Sequence, residues 1–263
     1  MTPFYFLFRK ECHRFSKVLV QTILTPLISS TLYLLIFGVS IGSQIQGNGS
    51  GDVNGTAKYL GFLIPGLMMM GLMNNSFQNS SSSLVSSKFT GDIEDLGVVP
   101  LTRNNIIWAL SLASVVRGSV VSLMTLIAGE IFYYVQYQEF LSIAHPFWML
   151  YFMLVAGLVF GQMGMMTAFW AKSFDQLSAV TTFVILPLTY LGGVFISIHQ
   201  LHPIWQMISL ANPLLYFING LRYSVLGSSD VSLTSSAVLA MAALLVMYFL
   251  AHRLFSRITF TRW

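Results

Sequence analysis

The sequence predicts an all-α polytopic membrane protein, and three observations carry that prediction. First, of 263 residues 13 are Lys or Arg and 9 are Asp or Glu, so charge makes up 8% of the chain, where soluble domains carry about a quarter. Second, apolar residues make up 55% and the mean hydropathy is +0.72, which leaves too little polar surface to coat a water-soluble particle of this size. Third, charge-free stretches run over 18–51, 59–87, 140–171, 176–221 and 231–252, and each exceeds the ~20 residues a helix needs to cross hydrocarbon. The runs are continuously apolar rather than alternating at period two, which excludes a closed barrel. The composition also excludes disorder, a collagen-like fibre and a disulfide-stapled domain, since Cys12 is the single cysteine. A net charge of +4 with no basic stripe weighs against a nucleic-acid partner.

The elements follow in order. Residues 3–17 place Phe4, Tyr5, Leu7, Phe8, Cys12 and Phe15 on one helical arc and Arg9, Lys10, His13, Arg14 and Lys17 on the opposite one, with Phe6 and Glu11 as exceptions. This is the pattern of a helix lying in the inner interface; a plain positive flank, which needs charge but no apolar face, is the alternative. The polar, basic start and the long first run argue against a cleaved signal sequence. Spans are expected at about 18–42, 59–83, 106–128, 146–170, 177–196 and 235–254. The run 176–221 is long enough for two crossings, and loop charge separates six spans from seven. With six spans and a cytosolic start, Arg9, Lys10, Arg14, Lys17, Lys88, Arg103, Lys172, Arg253, Arg257 and Arg262 lie inside, against Lys58 and Arg222 outside. That is a strong positive-inside bias, and it puts both termini in the cytoplasm. Residues from about 198 to 222 then read as a re-entrant pair of half-helices, broken by Pro203 and Pro213. No internal repeat and no soluble domain appears, so residues 1–263 form a single transmembrane domain.

The chemistry that is missing is informative. No glycine is followed by Lys, so there is no P-loop, and there is no His-Glu-x-x-His, Cys-x-x-Cys or Gly-x-Ser-x-Gly pattern. His199 and His202 lack a third ligand and read as interfacial hydrogen-bonding groups. The methionines Met68 to Met70 with Met73, and Met163 with Met165 and Met166, read as flexible core packing before they read as soft-metal ligands. Ion-coupled transporters place acids or histidines inside the bundle, yet Glu130 is the only acid near a span. A chain with neither a catalytic cluster nor a coupling site that moves a cargo takes its energy from another subunit.

Two intramembrane polar features remain. Arg117 is the one charge in the middle of a span, read either as the counter-charge to an anionic substrate or as a side chain snorkelling to the inner headgroups from a span shifted outward through Phe132, Tyr133 and Tyr134. Asn74, Asn75 and Gln78 close the second span; Asn74 and Gln78 share a face and either line a polar path or act as packing glue. Beyond them, Asp92, Glu94 and Asp95 make the longest inner loop acidic, and Phe89, Ile93 and Leu96 fall on one helical face. A cytosolic partner with a hydrophobic, basic-rimmed groove would complete that helix; a solvated acidic loop is the alternative.

Asp92 to Leu101, the run Leu-Pro-Leu-Thr-Tyr-Leu-Gly-Gly-Val-Phe from Leu186 to Phe195, and Ala-Asn-Pro-Leu-Leu-Tyr-Phe-Ile-Asn-Gly-Leu-Arg-Tyr from Ala211 to Tyr223 resemble the ABC-2 family of ATP-binding-cassette permeases. Phe62-Leu-Ile-Pro-Gly-Leu and Ala171-Lys-Ser-Phe-Asp are similar to its YadH-type bacterial branch. The resemblance implies a six-span permease subunit of an export pump in the bacterial inner membrane. It implies a coupling helix over about 86–97 (Phe89, Asp92, Ile93, Glu94, Asp95, Leu96) that docks on a separate ATPase. Two permease copies, as a homodimer, and two ATPases make the pump. ATP and Mg2+ belong to the ATPase, and this chain binds no cofactor of its own. Gly192, Gly193, Asn212, Pro213 and Arg222 form the family motif near the exit. The family's cargo ranges over polysaccharides, teichoic acids, drugs and lipids, and no short motif marks it. The rival readings are a stand-alone channel or secondary transporter, which would move cargo without ATP, and a membrane enzyme or assembly factor, which would need a catalytic cluster.

Overall fold

The computed structural model describes residues 3–41, 59–92 and 102–257, and every regular element among them is helical. Six of these helices are long and apolar enough to cross a membrane, so the chain adopts the all-α polytopic class its composition calls for. Helix α1 is Pro3–Lys17. Helix α2, Leu19–Tyr33, passes without a break into a π-helical segment, Leu34–Ile41. Then come α3 (Tyr59–Thr90), α4 (Arg103–Tyr137) and α5 (Pro146–Trp170). Helix α6 covers Phe174–Leu191 and carries a π-helical stretch, Thr181–Ile185, in its middle. Two short helices, α7 (Pro203–Ala211) and α8 (Pro213–Leu226), precede α9 (Leu233–Arg257).

Local chemistry sets most of these boundaries. Pro146, Pro203 and Pro213 each open a helix at its first position, where a missing N–H costs nothing and the fixed φ helps. Helix α6 starts at Phe174 rather than at 177, because the Ser173 hydroxyl accepts from Gln176 N at 3.3 Å while Gln176 Oε1 accepts from Lys172 N at 2.7 Å, a reciprocal cap on two otherwise orphaned amides. The second and third spans run past 83 and 128. Leu84 and Val85 stay buried in a cluster with Ile106, Ile107 and Leu110, so α3 remains packed through Val85 and continues as helix, with Phe89 and Thr90 exposed, to Thr90. Tyr133 packs against Tyr137 with the rings tilted and centroids 4.9 Å apart near the end of α4. The first part of the 86–97 stretch is therefore the last turn of α3, and Ile93, Glu94, Asp95 and Leu96 lie outside the described residues.

Helix α3 is the centre of the bundle: 83% of its apolar window is buried, against 17% for α2 and for α6 and 11% for α9. Its faces pack on α4, α5 and α8. Close approach rests on small residues, as is usual between membrane helices. Gly118 of α4 lies against Ser76 and the Leu72 carbonyl, where an added Cβ would come within 2.8 Å of that carbonyl oxygen, and Gly164 of α5 lies against the Phe77 carbonyl on the other side. Met68, Met69 and Met73 are fully buried in the apolar cluster with Phe77, Phe152 and Phe160, which is the packing role of methionine.

Helix α1 lies along α4. Leu7 and Phe15 are buried, Phe4, Phe8 and Cys12 half-buried, and Tyr5 and Phe6 exposed. The buried face is therefore turned slightly from the expected arc, and it takes in Glu11, 3% exposed. Glu11 tolerates burial because Ser83 donates to it at 2.8 Å and Arg14 at 3.1 Å. Arg14 in turn donates to the Asn79 carbonyl at 2.8 Å, which ties α1 to the middle of α3.

Candidate functional site

Helix α2 is amphipathic along its length. Val20, Leu24, Ile28 and Leu32 are exposed on one side, while Gln21, Thr25 and Ser29 at i, i+4 spacing, exposed, and Thr22 and Ser30, buried, line an open groove on the other. This polar stripe faces Met70, Asn74 and Gln78 of α3, Arg117 of α4 and Thr181 of α6 across an open groove of about 520 Å³. A second cavity of about 430 Å³ continues it between α3 and α6 past Ser81, Ser82 and Ser178. Gln78, Arg117 and Thr181 line both, so the two cavities adjoin at these residues. The π-helical stretch of α6 puts Thr181 at this junction, and Thr181 also receives the i→i+5 bond from Leu186 N.

Arg117 makes no hydrogen bond and no ion pair among the described residues, and its Nε is buried without a partner. Arg14 lies within electrostatic reach of it. Among the described residues no Asp or Glu lines either cavity. Asn74 Oδ1 is likewise buried and unpartnered, and Gln78 is exposed to the groove. Asn75 also lines the groove but bonds back to the Gly71 carbonyl of its own helix at 3.0 Å. The packing role falls to neighbours on the opposite face: Ser76 donates to the Ser114 carbonyl at 3.0 Å, and Asn79 and Ser80 reach the Ser114 hydroxyl. Path and glue thus occupy two faces of one polar segment. Glu130 does neither, since it accepts from Leu141 N at 3.1 Å and fixes the turn between α4 and α5.

Tyr33, which lines the first cavity, belongs to a cluster of aromatic rings. The rings of Tyr33, Phe37, Tyr190 and Phe195 pack in tilted and edge-on pairs with centroids 4.9 to 6.2 Å apart, and the Tyr33 and Tyr190 hydroxyls meet at 3.4 Å. Behind this cluster the motif residues converge. Gly193, with φ +82, turns its carbonyl to Arg222, which donates to it at 2.7 Å. Arg222 is 1% exposed, lies 3.6 Å from the Phe62 ring centre and pairs with Asp230 at 3.9 Å. Asp230 also accepts from the Ser197 hydroxyl at 2.8 Å and from Ile198 N, and its carbonyl meets His199 Nε2 at 3.1 Å. Asn212 caps α8 through Leu214 N and donates to the Leu188 carbonyl at 2.6 Å. Gly192 is pressed against Ile218. These contacts tie α6, α7, α8 and the start of α9 into one knot, a structural role rather than a lining one. At the opposite end, Phe89 is 61% exposed and stacks 5.8 Å from Phe174, and Asp92 accepts from Thr90 at 2.8 Å. Among the described residues no three His, Cys, Asp or Glu side chains converge on a metal site.

A model of the ABC-2 type transporter family matches residues 2–226. The chain belongs to that family. Over 248 residues it is 37% identical to the inner membrane transport permease YadH of Escherichia coli strain K12, covering 94% of this chain and 92% of that one. It is 24% identical over 225 residues to nodulation protein J of Rhizobium leguminosarum bv. viciae, covering 83% of this chain and 80% of that one, and 24% identical over 226 residues to the nodulation protein J of Rhizobium meliloti strain 1021, covering 84% and 80%. The chain is a multi-pass inner-membrane transport permease whose family context is an ATP-binding-cassette transporter with an ATPase partner.

Sequence reasoning overlooked two parts of this ABC-2 site. The α2 stripe was readable in the i, i+4 spacing of Gln21, Thr25 and Ser29, but a run free of charge masks a run that is not free of polarity. Asp230 is the nearest acid to Arg222 in sequence, and that proximity was its only signal.

Proposed function

We propose that this chain is the membrane half of an ATP-driven exporter, and that the groove from Gln78 and Arg117 to the Tyr33 and Tyr190 cluster is the cargo's path. The observation that carries this reading is a pair of adjoining cavities, with uncharged polar side chains and Arg117 set among apolar ones, inside a permease of the ABC-2 family that has no nucleotide-binding motif of its own. Hydrolysis then belongs to a separate subunit, which binds ATP and Mg2+. Ten basic residues on one side of the six spans orient the α1 end and both termini toward the cytoplasm, so the α7 and α8 hairpin stands re-entrant at the outer face. The stretch 86–97 serves as the coupling element: Phe89, Ile93 and Leu96 supply an apolar face and Asp92, Glu94 and Asp95 a charged rim. Two copies of the chain and two ATPases complete the pump.

The tagged chain, purified from its own membranes, is expected to bring down a P-loop ATPase in equal amount. The triple charge reversal Asp92→Lys, Glu94→Lys, Asp95→Lys is expected to release it while leaving the permease in the membrane. An intact complex after reversal would refute the coupling role. Transport by proteoliposomes holding neither ATP nor ATPase would refute the whole reading.

A further inference from the structure

We propose that residues 181–187 are a joint that divides α6 into two separately anchored halves. The first half, Phe174–Val180, changes its tilt there, while the second, Leu186–Leu191, stays with the α7 and α8 knot. The joint is independent of any cargo, and only its bearing on transport rests on the reading of the cavities as a path.

The backbone is the first argument. Two features weaken the hydrogen-bond ladder at one level of α6. Over Thr181–Ile185 the helix is π-helical, and Leu186 N donates to the Thr181 carbonyl, five residues back. Pro187 follows at once; it has no N–H to give to the preceding turn, and its ring crowds the carbonyl there. A π-helical insertion and an internal proline are each recognised causes of a sharp bend, and here they coincide. The hydroxyls of Ser178, Thr181 and Thr189 bond back to the carbonyl four residues earlier, at 3.2, 3.1 and 2.6 Å. Such bonds satisfy polar groups without tying them to a neighbouring helix, and they favour bending.

Anchorage is the second. In the first half, Leu177 is buried in the apolar cluster with Val85, Ile106 and Phe169, and Phe174 lies 5.8 Å from the Phe89 ring at the end of α3. Among the described residues, no side chain of this half hydrogen-bonds to another helix. Ile185, where the second half begins, belongs instead to the larger cluster with Val194, Leu214 and Ile218. Beyond it the Leu188 carbonyl accepts from Asn212 at 2.6 Å, and the Tyr190 hydroxyl meets that of Tyr33 at 3.4 Å. Between the two anchorages Thr182, Phe183 and Val184 are exposed, Phe183 at 78%, so within this chain little packs against the joint. Ser178 and Leu177 of the first half line the second cavity, and no residue beyond Thr182 lines either one. A change of tilt at the joint therefore alters the second cavity and leaves the aromatic cluster in place. Phe174 stands about ten residues from the middle of the joint, about 15 Å at 1.5 Å per residue, so a bend of about 20° displaces it by about 5 Å.

The test measures distances between paired spin labels by electron resonance on the full chain in nanodiscs without ATPase, in a Cys12→Ser background and diluted with unlabelled chain. One pair, Asp175→Cys with Arg253→Cys, reports the first half; the other, Ile196→Cys with Phe147→Cys, reports the end beyond the second. The first distribution is expected to be broader than the second by about 5 Å, and Pro187→Ala, which restores a donor to the ladder, should narrow the first and leave the second unchanged. Equal widths for the two pairs in the chain with Pro187 intact, whether narrow or broad, would overturn the joint independently of that variant. An unchanged first distribution in a monodisperse Pro187→Ala protein would overturn it as well. Because neither ATPase nor cargo is present, failure of the coupling reading leaves this result intact, and a chain that couples normally with equal widths at both ends would sink this inference alone.

Discussion

Arg222 and Arg117 are both guanidiniums set among apolar helices, and their surroundings divide their roles. Arg222 is enclosed by the Gly193 carbonyl, the Phe62 ring and Asp230, so its removal strands a buried carboxylate. Arg222→Met is expected to cost about 3 kcal/mol, the low end for breaking a buried pair, since Ser197 and Ile198 N still serve Asp230. The double variant with Asp230→Asn should regain part of that loss, and thermal unfolding in detergent would measure both. Arg117 has no such enclosure, so Arg117→Gln should leave the unfolding temperature unchanged or raise it. At this scale the sequence singles out Arg117, because a charge inside an apolar run is visible without a structure, while Arg222 enters only as an outer-side basic residue and through the family motif. What separates them is the partner, and Asp230 meets Arg222 only once α8 and the turn before α9 are folded together.

At the scale of elements, α3 is held from both sides by glycines. Gly164→Leu drives a side chain into the Phe77 carbonyl, and overpacking of this kind costs about 1–3 kcal/mol; thermal unfolding should report it. On α2 the two faces make opposite predictions for neighbouring positions. A cysteine at Thr25 should react with a charged, water-borne thiol reagent in proteoliposomes far faster than one at Leu24 or Ile28, and equal rates would remove the groove. Helix α1 carries its own reporter. Burial, and next the Glu11 carboxylate, push the Cys12 thiol above its ordinary range. A raised pKa means less thiolate at any given pH, so maleimide labelling of Cys12 should rise with pH later than labelling of an exposed cysteine. Glu11→Gln should narrow the gap. The helical arc of α1 was legible from residues 4 to 15, but Glu11 looked like an exception because its partners, Ser83 and Arg14, come from tertiary contact and from a turn of helix that hides one side chain behind another. The polar stripe of α2 was legible by spacing and overlooked in a search keyed to charge.

For the whole molecule, the number of spans and the class of fold follow from composition and from the run lengths between charges, which bilayer thickness converts directly into helices. The groove does not follow from them, because it needs four helices to bring polar faces to one place, and single-helix periodicity says nothing about which faces meet. One contact has a further consequence for the assembled chain. The Lys88 ammonium donates to the carbonyls of Ala168, Phe169 and Ala171, at 2.7, 2.8 and 3.4 Å, and so bolts the end of α3 to the end of α5 beside the acidic loop. Lys88→Met should speed hydrogen exchange in the peptide over 168–173, read by mass spectrometry, while α3 itself stays protected. Together with Gly164 of α5 against Phe77 and Gly118 of α4 against Leu72 and Ser76, this contact joins α3, α4 and α5 into the most closely packed part of the bundle. The helices α2 and α6, each buried over only 17% of its apolar window, are left with far less protein around them than that core, and their surroundings must come largely from lipid or from another chain.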